Sequence, residues 1–269
     1  MSQLSIADLF SVAGKTVLVT GGSRGIGEMI AAGFLANDAT VYISSRKADV
    51  CDATAARLSE SHNNRCTSIP ADLSRLEDVD RLSEAVRGRE EHLDVLVNNA
   101  GASWGAPVDE FPENGWDKVM DTNVKGVFFL TQRLLPLLQA AATPESPARV
   151  INIGSIDGIR NPAFENYSYG PSKAAVHALT RQLAATLVKR NILVNAIAPG
   201  PFPTWMLSTG VGTGGDVEAT DWEAVGAAVP RGRVGTPEDI AGTALFLASR
   251  AGAFTVGEII TCDGGIVVA

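Results

Sequence analysis

The chain has 269 residues, 45% of them hydrophobic and 19% charged, which suits a single α/β domain with a large core. Its net charge of −8 offers no basic face for a phosphate backbone, so no nucleic-acid partner is expected. The three cysteines lack C-x-x-C spacing and the three histidines lack an H-E-x-x-H motif, which argues against a metal site and a structural disulfide. With no run of about 18 apolar residues and no basic leader, we expect a cytoplasmic protein without a membrane partner.

Short apolar, β-branched runs alternate with longer helical patterns along the chain. Near-continuous apolar strands separated by helices predict an α/β fold, a Rossmann-type doubly wound parallel sheet with helices on both faces. The predicted strands are 16–20, 40–44, 66–70, 93–98, 149–154, 192–198 and 258–262. The predicted helices are 26–37, 48–60, 76–87, 116–141, 173–190 and 237–249.

Two segments fall outside this alternation. Residues 1–13 are expected to form a short N-terminal extension to a single domain that spans residues 14–269. Residues 201–228 are rich in glycine and lack a regular apolar pattern, and they follow the carboxyl end of a predicted strand. In a doubly wound sheet this is the place of a substrate lid.

A glycine-rich turn joins the first strand to the first long helix, in the sequence Thr20-Gly21-Gly22-Ser23-Arg24-Gly25-Ile26-Gly27. Glycines here let the backbone turn sharply and approach a pyrophosphate, and the helix N-terminus offers free amides and a positive dipole end. A tight turn without a ligand is the alternative. The position between a strand and a helix favours nucleotide binding.

The charge at the end of the second strand indicates which nucleotide is bound. A 2′-hydroxyl requires an acidic partner there, whereas a 2′-phosphate requires arginine. The strand ends in Ser45-Arg46-Lys47 with no Asp or Glu, and Arg24 lies in the glycine loop. Two ordinary surface basic residues are the alternative, but the absent acid and the present arginines both favour NADP(H).

A tyrosine and a lysine four residues apart, Tyr169 and Lys173, can share one face of a helical turn. A nearby cation favours the phenolate, so we expect Lys173 to lower the pKa of Tyr169 toward a range useful for proton transfer to a substrate oxygen. Such a pair also arises by chance on protein surfaces, and the rest of the chain decides between the two readings.

In its motifs and their order, the chain resembles the short-chain dehydrogenase/reductase family, and within it the 3-oxoacyl-(acyl carrier protein) reductases. The resemblance covers essentially all of residues 14–265. The matching motifs are residues 20–27, Asp72-Leu73, Asn98-Asn99-Ala100-Gly101, Asn123, Ser155, Tyr169 with Lys173, Pro199-Gly200 and Asp263-Gly264-Gly265.

The resemblance implies four catalytic residues. Tyr169 would be the general acid in ketone reduction and the base in the reverse reaction. Lys173 would hold the nicotinamide ribose, and Ser155 would donate a hydrogen bond to the carbonyl oxygen. Asn123 would hold a water molecule that supplies protons to Lys173. Taken singly, Ser155 could be a turn residue and Asn123 a helix irregularity.

The resemblance to the family also implies a set of NADP(H)-binding residues. Those expected at the pyrophosphate, ribose and 2′-phosphate are Gly21, Ser23, Arg24, Ile26, Gly27 and Arg46. Those expected along the adenine edge and the rest of the cofactor are Asp72, Leu73, Asn99, Gly101, Tyr169, Lys173, Pro199, Gly200 and Thr204. For Asp72, an N-cap of the following helix is almost as strong an interpretation.

The chain departs from the family pattern at two places. Pro171 stands where a small residue is usual, and because proline is tolerated only in the first turn of a helix, the helix should begin within a turn upstream of it. Ser155 and Tyr169 are fourteen positions apart (169 minus 155), one more than the resemblance implies, so we expect a reshaped loop at 156–166. Tyr167 is a competing phenol, but Pro171 lies four residues after it and supplies no cation.

Apolar side chains suggest a substrate cleft for an acyl chain or a ring, with core packing as the alternative. They are Trp104, Phe164, Phe202, Trp205 and Met206. No basic cluster marks a dock for an acidic carrier protein, so a small ketone or a coenzyme A thioester stays open. The family also implies a homotetramer assembled through 116–141, 173–190 and the carboxyl terminus.

The predicted function is therefore an NADP(H)-dependent carbonyl reductase acting on a small-molecule ketone or β-ketoacyl substrate. One alternative is a dehydrogenase of a sugar, polyol or steroid alcohol, since the equilibrium and the cofactor ratio set the direction. Another is a catalytically idle NADP(H)-binding regulator. The complete set of four catalytic residues argues against the regulator, because a sensor has no use for a proton donor.

Overall fold

The computed structural model describes residues 4–62, 65–161, 164–210 and 212–269. Seven parallel strands form one sheet in the order β3-β2-β1-β4-β5-β6-β7. The strands are β1 (Thr16–Thr20), β2 (Thr40–Ser44), β3 (Cys66–Ser68), β4 (Val95–Asn98), β5 (Ala148–Ile153), β6 (Ile192–Pro199) and β7 (Ile259–Cys262). The α-helices are α1 (Ile6–Leu9), α2 (Gly25–Leu35), α3 (Ala48–His62), α4 (Leu76–Arg87), α5 (Glu113–Met120), α6 (Gly126–Ala141), α7 (Tyr169–Leu187), α8 (Trp205–Gly210), α9 (Trp222–Ala227) and α10 (Pro237–Ala248).

Helices cover both faces of the sheet, because its central strands are apolar on both sides. β1, β4, β5 and β6 are buried along their whole lengths. One core cluster packs α2, α3 and α10 against one face, and a second packs α4, α6 and α7 against the other. The strand order reverses between β1 and β4, and in such sheets ligands bind beyond the carboxyl ends of the strands at that point. The predicted Rossmann-type fold is confirmed.

The predicted single helix over 116–141 is wrong. The chain instead forms α5, a π-helical turn over Asp121–Lys125, and α6. α6 begins at Gly126, where a Cβ atom would overlap the carbonyl oxygen of Leu73. The widened turn therefore lies where this helical segment passes closest to the segment after β3, and its sequence shows only a helical apolar pattern.

The described parts of residues 1–13 and 201–228 both contain local structure. Val12 is buried in the first core cluster, behind the short helix α1, whose N-cap is Ser5. The segment 201–228 holds the two short helices α8 and α9. Over the described residues, no helix is both long enough and apolar enough to cross a membrane.

Candidate active site

The glycine loop after β1 has the backbone shape that its sequence predicts. Gly21 and Gly25 have φ values of 64° and 57°, a left-handed conformation that favours glycine. At Gly27, a Cβ atom would overlap both the Gly21 carbonyl and the side chain of Asn99. Glycine at this position therefore lets α2 pack closely on the loop in which it begins, and the first amides of α2 can face a phosphate group.

Residues after β4 hold this loop in place. Asn99 Nδ2 donates to the carbonyl oxygens of Thr20 (2.8 Å) and Gly21 (3.1 Å). Thr20 Oγ1 accepts hydrogen bonds from the backbone amides of Asn99 and Ala100, each at 3.0 Å. The Asn99 side chain, predicted to lie along the cofactor, is thus engaged in supporting the glycine loop.

Arg24 and Arg46 converge at the end of β2, as predicted. The pKa of Arg24 is lowered, first by partial burial and then by the charge of Arg46. Within the described ranges, no carboxylate lies at salt-bridge distance from either guanidinium. The Arg24 guanidinium also lies 4.7 Å from the ring centroid of Trp205, at the start of α8. Two unneutralised cations at this corner suit a 2′-phosphate.

The proposed catalytic side chains meet at the end of β5. Ser155 follows β5 and is buried, and its Oγ accepts a hydrogen bond of 3.1 Å from the Asp157 amide. Tyr169 is the first residue of α7 and hydrogen-bonds the Ser155 side chain. Lys173, one turn later, is 4% exposed. The structure therefore brings these three predicted residues together.

The expectation that Lys173 lowers the pKa of Tyr169 is not met. Burial raises the pKa of Tyr169 to about 12, the hydrogen bond with Ser155 lowers it, and the charge of Asp157 raises it. Lys173 Nζ lies 5.6 Å from the centroid of the Tyr169 ring and donates to the Ile153 carbonyl at 2.8 Å. Desolvation of the phenolate therefore outweighs the nearby cation in this structure.

Burial also acts on the lysine. It lowers the pKa of Lys173 to about 8, because the ammonium form loses its hydration inside the protein. Near neutral pH, the Tyr169 phenol thus keeps its proton, while Lys173 can gain or lose one close to physiological pH. This pairing suits delivery of a proton by Tyr169 and its later replacement.

Asn123 lies in the π-helical turn, 1% exposed. Its Oδ1 accepts from the Ala102 amide (2.8 Å), and its Nδ2 donates to the Ala102 carbonyl (3.0 Å) and to Ser172 Oγ (2.9 Å). A Cβ atom at Gly101 would lie 3.5 Å from Asn123 Oδ1 and 3.6 Å from Lys173 Nζ. The structure therefore places Asn123 beside Lys173, with its side chain used to join the segment after β4 to α7.

The prediction at Pro171 is confirmed. α7 begins at Tyr169, two residues before Pro171, so the proline lies in the first turn, where its missing N–H leaves no broken hydrogen bond. The loop before it contains a short 3₁₀ turn over Ile156–Gly158. Pro162 and Ala163 in that loop lie outside the described residues.

Other predicted cofactor residues lie around the same crevice in different roles. Asp72 Oδ1 accepts from the Ser74 amide and hydroxyl, so it shapes the turn before α4 and is not its N-cap. The Leu73 side chain is 5% exposed and packs in the core, which leaves only its backbone for a ligand. Thr204 caps α8 through the Leu207 amide.

The remaining predicted residues take structural positions at the carboxyl edge of the sheet. A Cβ atom at Gly25 would lie 3.1 Å from Thr204 Cγ2, so the segment after β6 contacts the glycine loop. A Cβ atom at Gly200 would lie 2.8 Å from Asp263 Cα, so glycine allows the ends of β6 and β7 to pack closely. Ser23 and Pro199 are buried, and Ile26 is partly buried against the first core cluster.

The predicted substrate cleft is only partly correct. Phe202 is a core residue, 2% exposed, whose ring fills the space beside Gly235. Trp104 packs on Gly115, with Lys118 Nζ 5.3 Å from its ring centroid. Met206 is partly exposed in α8. Phe164 and Trp205 are 45% and 46% exposed, so they remain candidates for the mouth of the site.

Sequence reasoning missed two features of the substrate side. Asp157 lies close enough to raise the pKa of Tyr169, and burial raises the pKa of Asp157 itself, against the effect of Arg160. Only its position two residues after Ser155 could have signalled this. The second feature is an apolar groove lined by Val108, Phe111, Pro112, Glu113, Trp116 and Tyr167, which we call the aromatic groove.

The aromatic groove has rigid aromatic walls. Phe111 makes edge-to-face contacts with Trp116 and Tyr167, with centroid separations of 6.4 and 6.0 Å. Trp116 and Tyr167 are each 41% exposed and Val108 is 70% exposed. Tyr167 precedes Tyr169 by two residues, so the groove adjoins the proposed catalytic residues in the chain.

The residues present fit NADP(H). The glycine loop can approach phosphate oxygens, the two arginines lack acidic partners, and Ser44 Oγ at the same corner is buried without a hydrogen-bond partner among the described residues. Over the same part of the chain, no cluster of His, Cys, Asp or Glu could hold a metal ion.

Comparisons with known proteins agree with this geometry. A family model described as Enoyl-(Acyl carrier protein) reductase matches residues 21–267. The rhamnolipids biosynthesis 3-oxoacyl-[acyl-carrier-protein] reductase of Pseudomonas aeruginosa is 50% identical over 95% of this chain and 97% of its own length. Gluconate 5-dehydrogenase of Gluconobacter oxydans is 34% identical over 98% of this chain and 99% of its own length.

Among solved structures, the Pseudomonas aeruginosa RhlG/NADP active-site complex is similar to the present fold. The TM-score is 0.89 and the identity 48%, covering 97% of this chain and 99% of that chain. In the sequence, the segments Ser103-Trp104-Gly105, 149–155, 169–175 and 197–203 indicate a likeness to the rhamnolipid-associated reductase. That likeness is confirmed.

Proposed function

Because the chain belongs to the short-chain dehydrogenase/reductase family, we propose that its substrate is a 3-oxoacyl thioester, whose ketone it reduces to a hydroxyl group. The protein is an NADP(H)-dependent oxidoreductase that acts on ketone groups, as the sequence predicted. The observation that carries the proposal is the meeting of Ser155, Tyr169 and Lys173 at the end of β5, with Tyr167 of the aromatic groove two residues before Tyr169 in the chain.

Each of these side chains has a chemical task in the proposed reduction. The bound nicotinamide supplies hydride to the carbonyl carbon. Tyr169, protonated at neutral pH, gives its proton to the carbonyl oxygen. The Ser155 hydroxyl donates a hydrogen bond to the same oxygen, where negative charge develops. Lys173 restores the proton to Tyr169, since its pKa of about 8 lets it exchange protons near neutrality.

The same proposal assigns the cofactor contacts. The glycine loop, with Gly21, Ser23, Ile26 and Gly27, would hold the pyrophosphate, and Arg24 with Arg46 the 2′-phosphate. Support comes from the left-handed glycines of the loop and from the two unpaired guanidiniums of the described structure. The remaining predicted contacts would be Asp72 and the Leu73 backbone, then Asn99, Gly101, Pro199, Gly200 and Thr204.

The aromatic groove favours an acyl chain over a sugar. A polyol needs a set of hydrogen-bond partners, whereas this groove is mainly apolar, and its polar groups are the Glu113 carboxylate, the Tyr167 hydroxyl and the Trp116 indole N–H. A sugar or polyol dehydrogenase is the second candidate, because gluconate 5-dehydrogenase is 34% identical to this chain.

A panel of substrates separates the two candidates. NADPH consumption would be followed with acetoacetyl-coenzyme A, a longer 3-oxoacyl-coenzyme A and 5-ketogluconate. We expect kcat/KM to be highest for the longer thioester. A higher kcat/KM for 5-ketogluconate would mean that the substrate is a sugar acid and not an acyl thioester. The proposed reaction type, reduction of a ketone, would be unchanged.

We also propose a cytoplasmic homotetramer of a domain over residues 14–269, with residues 1–13 as its extension and 201–228 as a substrate lid. Large apolar side chains are exposed near the carboxyl terminus, with Phe254 fully and Val268 88% exposed. A buried interface would remove such surface from water. Light scattering after size exclusion should give four times the 28.1 kDa chain mass, and a monomer would refute the assembly.

A further inference from the structure

One face of α7 contacts the last residues of β5. Asn152 Nδ2 donates to Thr180 Oγ1 at 2.9 Å, and Lys173 Nζ donates to the Ile153 carbonyl at 2.8 Å. These two contacts join consecutive strand residues to positions about two turns apart on one helix. Beyond them, the strand gives way to the turn that carries the proposed catalytic serine.

That turn runs from Gly154 to Gly158, and both of its glycines pack against the imidazole of His177. A Cβ atom at Gly154 would overlap His177 Nε2, and one at Gly158 would lie 2.9 Å from His177 Cε1. The imidazole also hydrogen-bonds the Gly158 backbone, and the residue is only 3% exposed. The ring thus fills the space between the two ends of the turn.

The imidazole is neutral in this place. Burial first, and then the charges of Lys173 and Arg181, lower the pKa of His177 to about 4, although the Gly158 hydrogen bond opposes them. Nε2 has no hydrogen-bond partner among the described residues. His177 therefore adds no second cation beside Lys173, and its contribution is its shape and its contact with Gly158.

We propose that His177 is a positioning residue, whose imidazole between Gly154 and Gly158 sets the place of the Ser155 hydroxyl relative to Tyr169. The inference rests on the catalytic roles proposed above for Ser155 and Tyr169. A displaced Ser155 would no longer point its O–H at the carbonyl oxygen, so the loss should fall on the chemical step and spare cofactor binding.

The first test compares His177→Ala with Thr180→Ala, using acetoacetyl-coenzyme A and NADPH. Each variant removes a buried contact of α7, but Thr180 contacts Asn152 in β5, whereas His177 contacts the turn that follows β5. We expect His177→Ala to lower kcat about 10- to 100-fold with the Kd for NADPH within about twofold, and Thr180→Ala to leave kcat nearly unchanged. Equal effects on kcat, or a His177→Ala effect confined to Tm, would overturn the proposal.

A double-mutant cycle with Ser155→Ala tests the path of the effect. If His177 acts through Ser155, the His177→Ala substitution should cost little further kcat once the hydroxyl is gone. An undiminished loss in that background would mean that His177 acts elsewhere, and the positioning role would be wrong.

Gly154→Ala supplies the reciprocal perturbation. A methyl group there collides with the native imidazole, so kcat should fall, and the double variant Gly154→Ala/His177→Ala should recover part of the loss. If His177→Ala does not fold, a Gly154→Ala variant with unchanged kcat would itself overturn the proposal.

Ser155→Ala and Tyr169→Phe, assayed alongside, distinguish failure of this inference from failure of the proposed function. Unchanged kcat in these two variants would refute the proposed function. A loss of kcat in them, with none for His177→Ala, would refute only this inference.

Discussion

The glycine loop and the proposed lid are in contact but are held in different ways. Backbone groups, the buried side chain of Thr20 and the partly buried side chain of Asn99 hold the loop. The lid touches the loop through Thr204 and through the exposed ring of Trp205 over Arg24. A site with one fixed side and one lightly held side suits an enzyme that keeps its cofactor in place and admits different substrates.

The same contrast separates the aromatic groove from the β5–α7 junction, by which we mean the end of β5 and the start of α7 with Ser155, Lys173 and His177. At the junction, Ser155, Lys173 and His177 are all buried and their contacts are polar and specific. In the groove, Trp116 and Tyr167 are half-exposed and meet through ring edges. Substitutions at the junction should therefore change chemistry, and those in the groove should change substrate preference.

The largest effect is expected at Tyr169. Tyr169→Phe removes the proton donor, so kcat should fall by about 10³-fold or more, while the Kd for NADPH changes little. NADPH consumption and a fluorescence titration measure the two quantities. Tyr167→Phe is the matched control, since it removes the competing phenol and keeps the ring in the groove. A substantial residual rate for Tyr169→Phe, or an equal loss at Tyr167, would refute the assignment.

The next test concerns the corner at the end of β2 where Arg24 and Arg46 converge. Arg46→Asp replaces a cation with a carboxylate that repels a 2′-phosphate and accepts from a 2′-hydroxyl, so the ratio of kcat/KM for NADPH to that for NADH should fall about 100-fold. Arg65→Asp, before β3 at the amino end of the sheet, makes the same charge change far from the corner and should leave the ratio unchanged. An unchanged ratio for Arg46→Asp would refute the phosphate assignment.

Strand and motif positions were predictable because they depend on local pattern. The bounds of β1 and α4 match the sequence prediction, since buried β-branched residues and a strong helical alternation define them. The spacing of Tyr169 and Lys173, together with the resemblance to the family, identified these two residues and Ser155 as candidates. The π-helical turn at Asn123 was not predicted, because it depends on hydrogen bonds to Ala102 and Ser172, which are distant in sequence.

Two further errors have the same origin. The direction of the Phe202 ring depends on the space left by Gly235, which no periodicity reports. The raised pKa of Tyr169 depends on burial by the whole fold, whereas the sequence showed only the neighbouring cation. Sequence therefore predicted which residues meet, and structure was needed for their environment.

Lys173 allows a pH test of the buried junction. Its pKa is about 8 in the folded protein and 10.5 in the unfolded chain, so between these values the unfolded state binds more protons and stability rises with pH. Relative to Lys173→Met, the wild type should gain about 2 kcal/mol of unfolding free energy between pH 8 and pH 10. Urea denaturation of both proteins measures this difference, in which other titrating groups cancel. A difference that does not change with pH would mean that Lys173 is not desolvated.

The smallest expected effect distinguishes the groove from the junction most directly. Trp116→Ala removes one wall of the aromatic groove, so kcat/KM should fall about fivefold for a long 3-oxoacyl-coenzyme A and change little for acetoacetyl-coenzyme A, whose short chain has few carbons to bury. Phe10→Ala, an aromatic residue after α1 with a similar exposed fraction (43%), is the control and should affect neither substrate. Equal losses for both chain lengths would place Trp116 with the catalytic junction. A change in oligomeric state without a change in chain-length preference would assign the groove to subunit contact, because an apolar surface that binds substrate must discriminate by the apolar length that it covers.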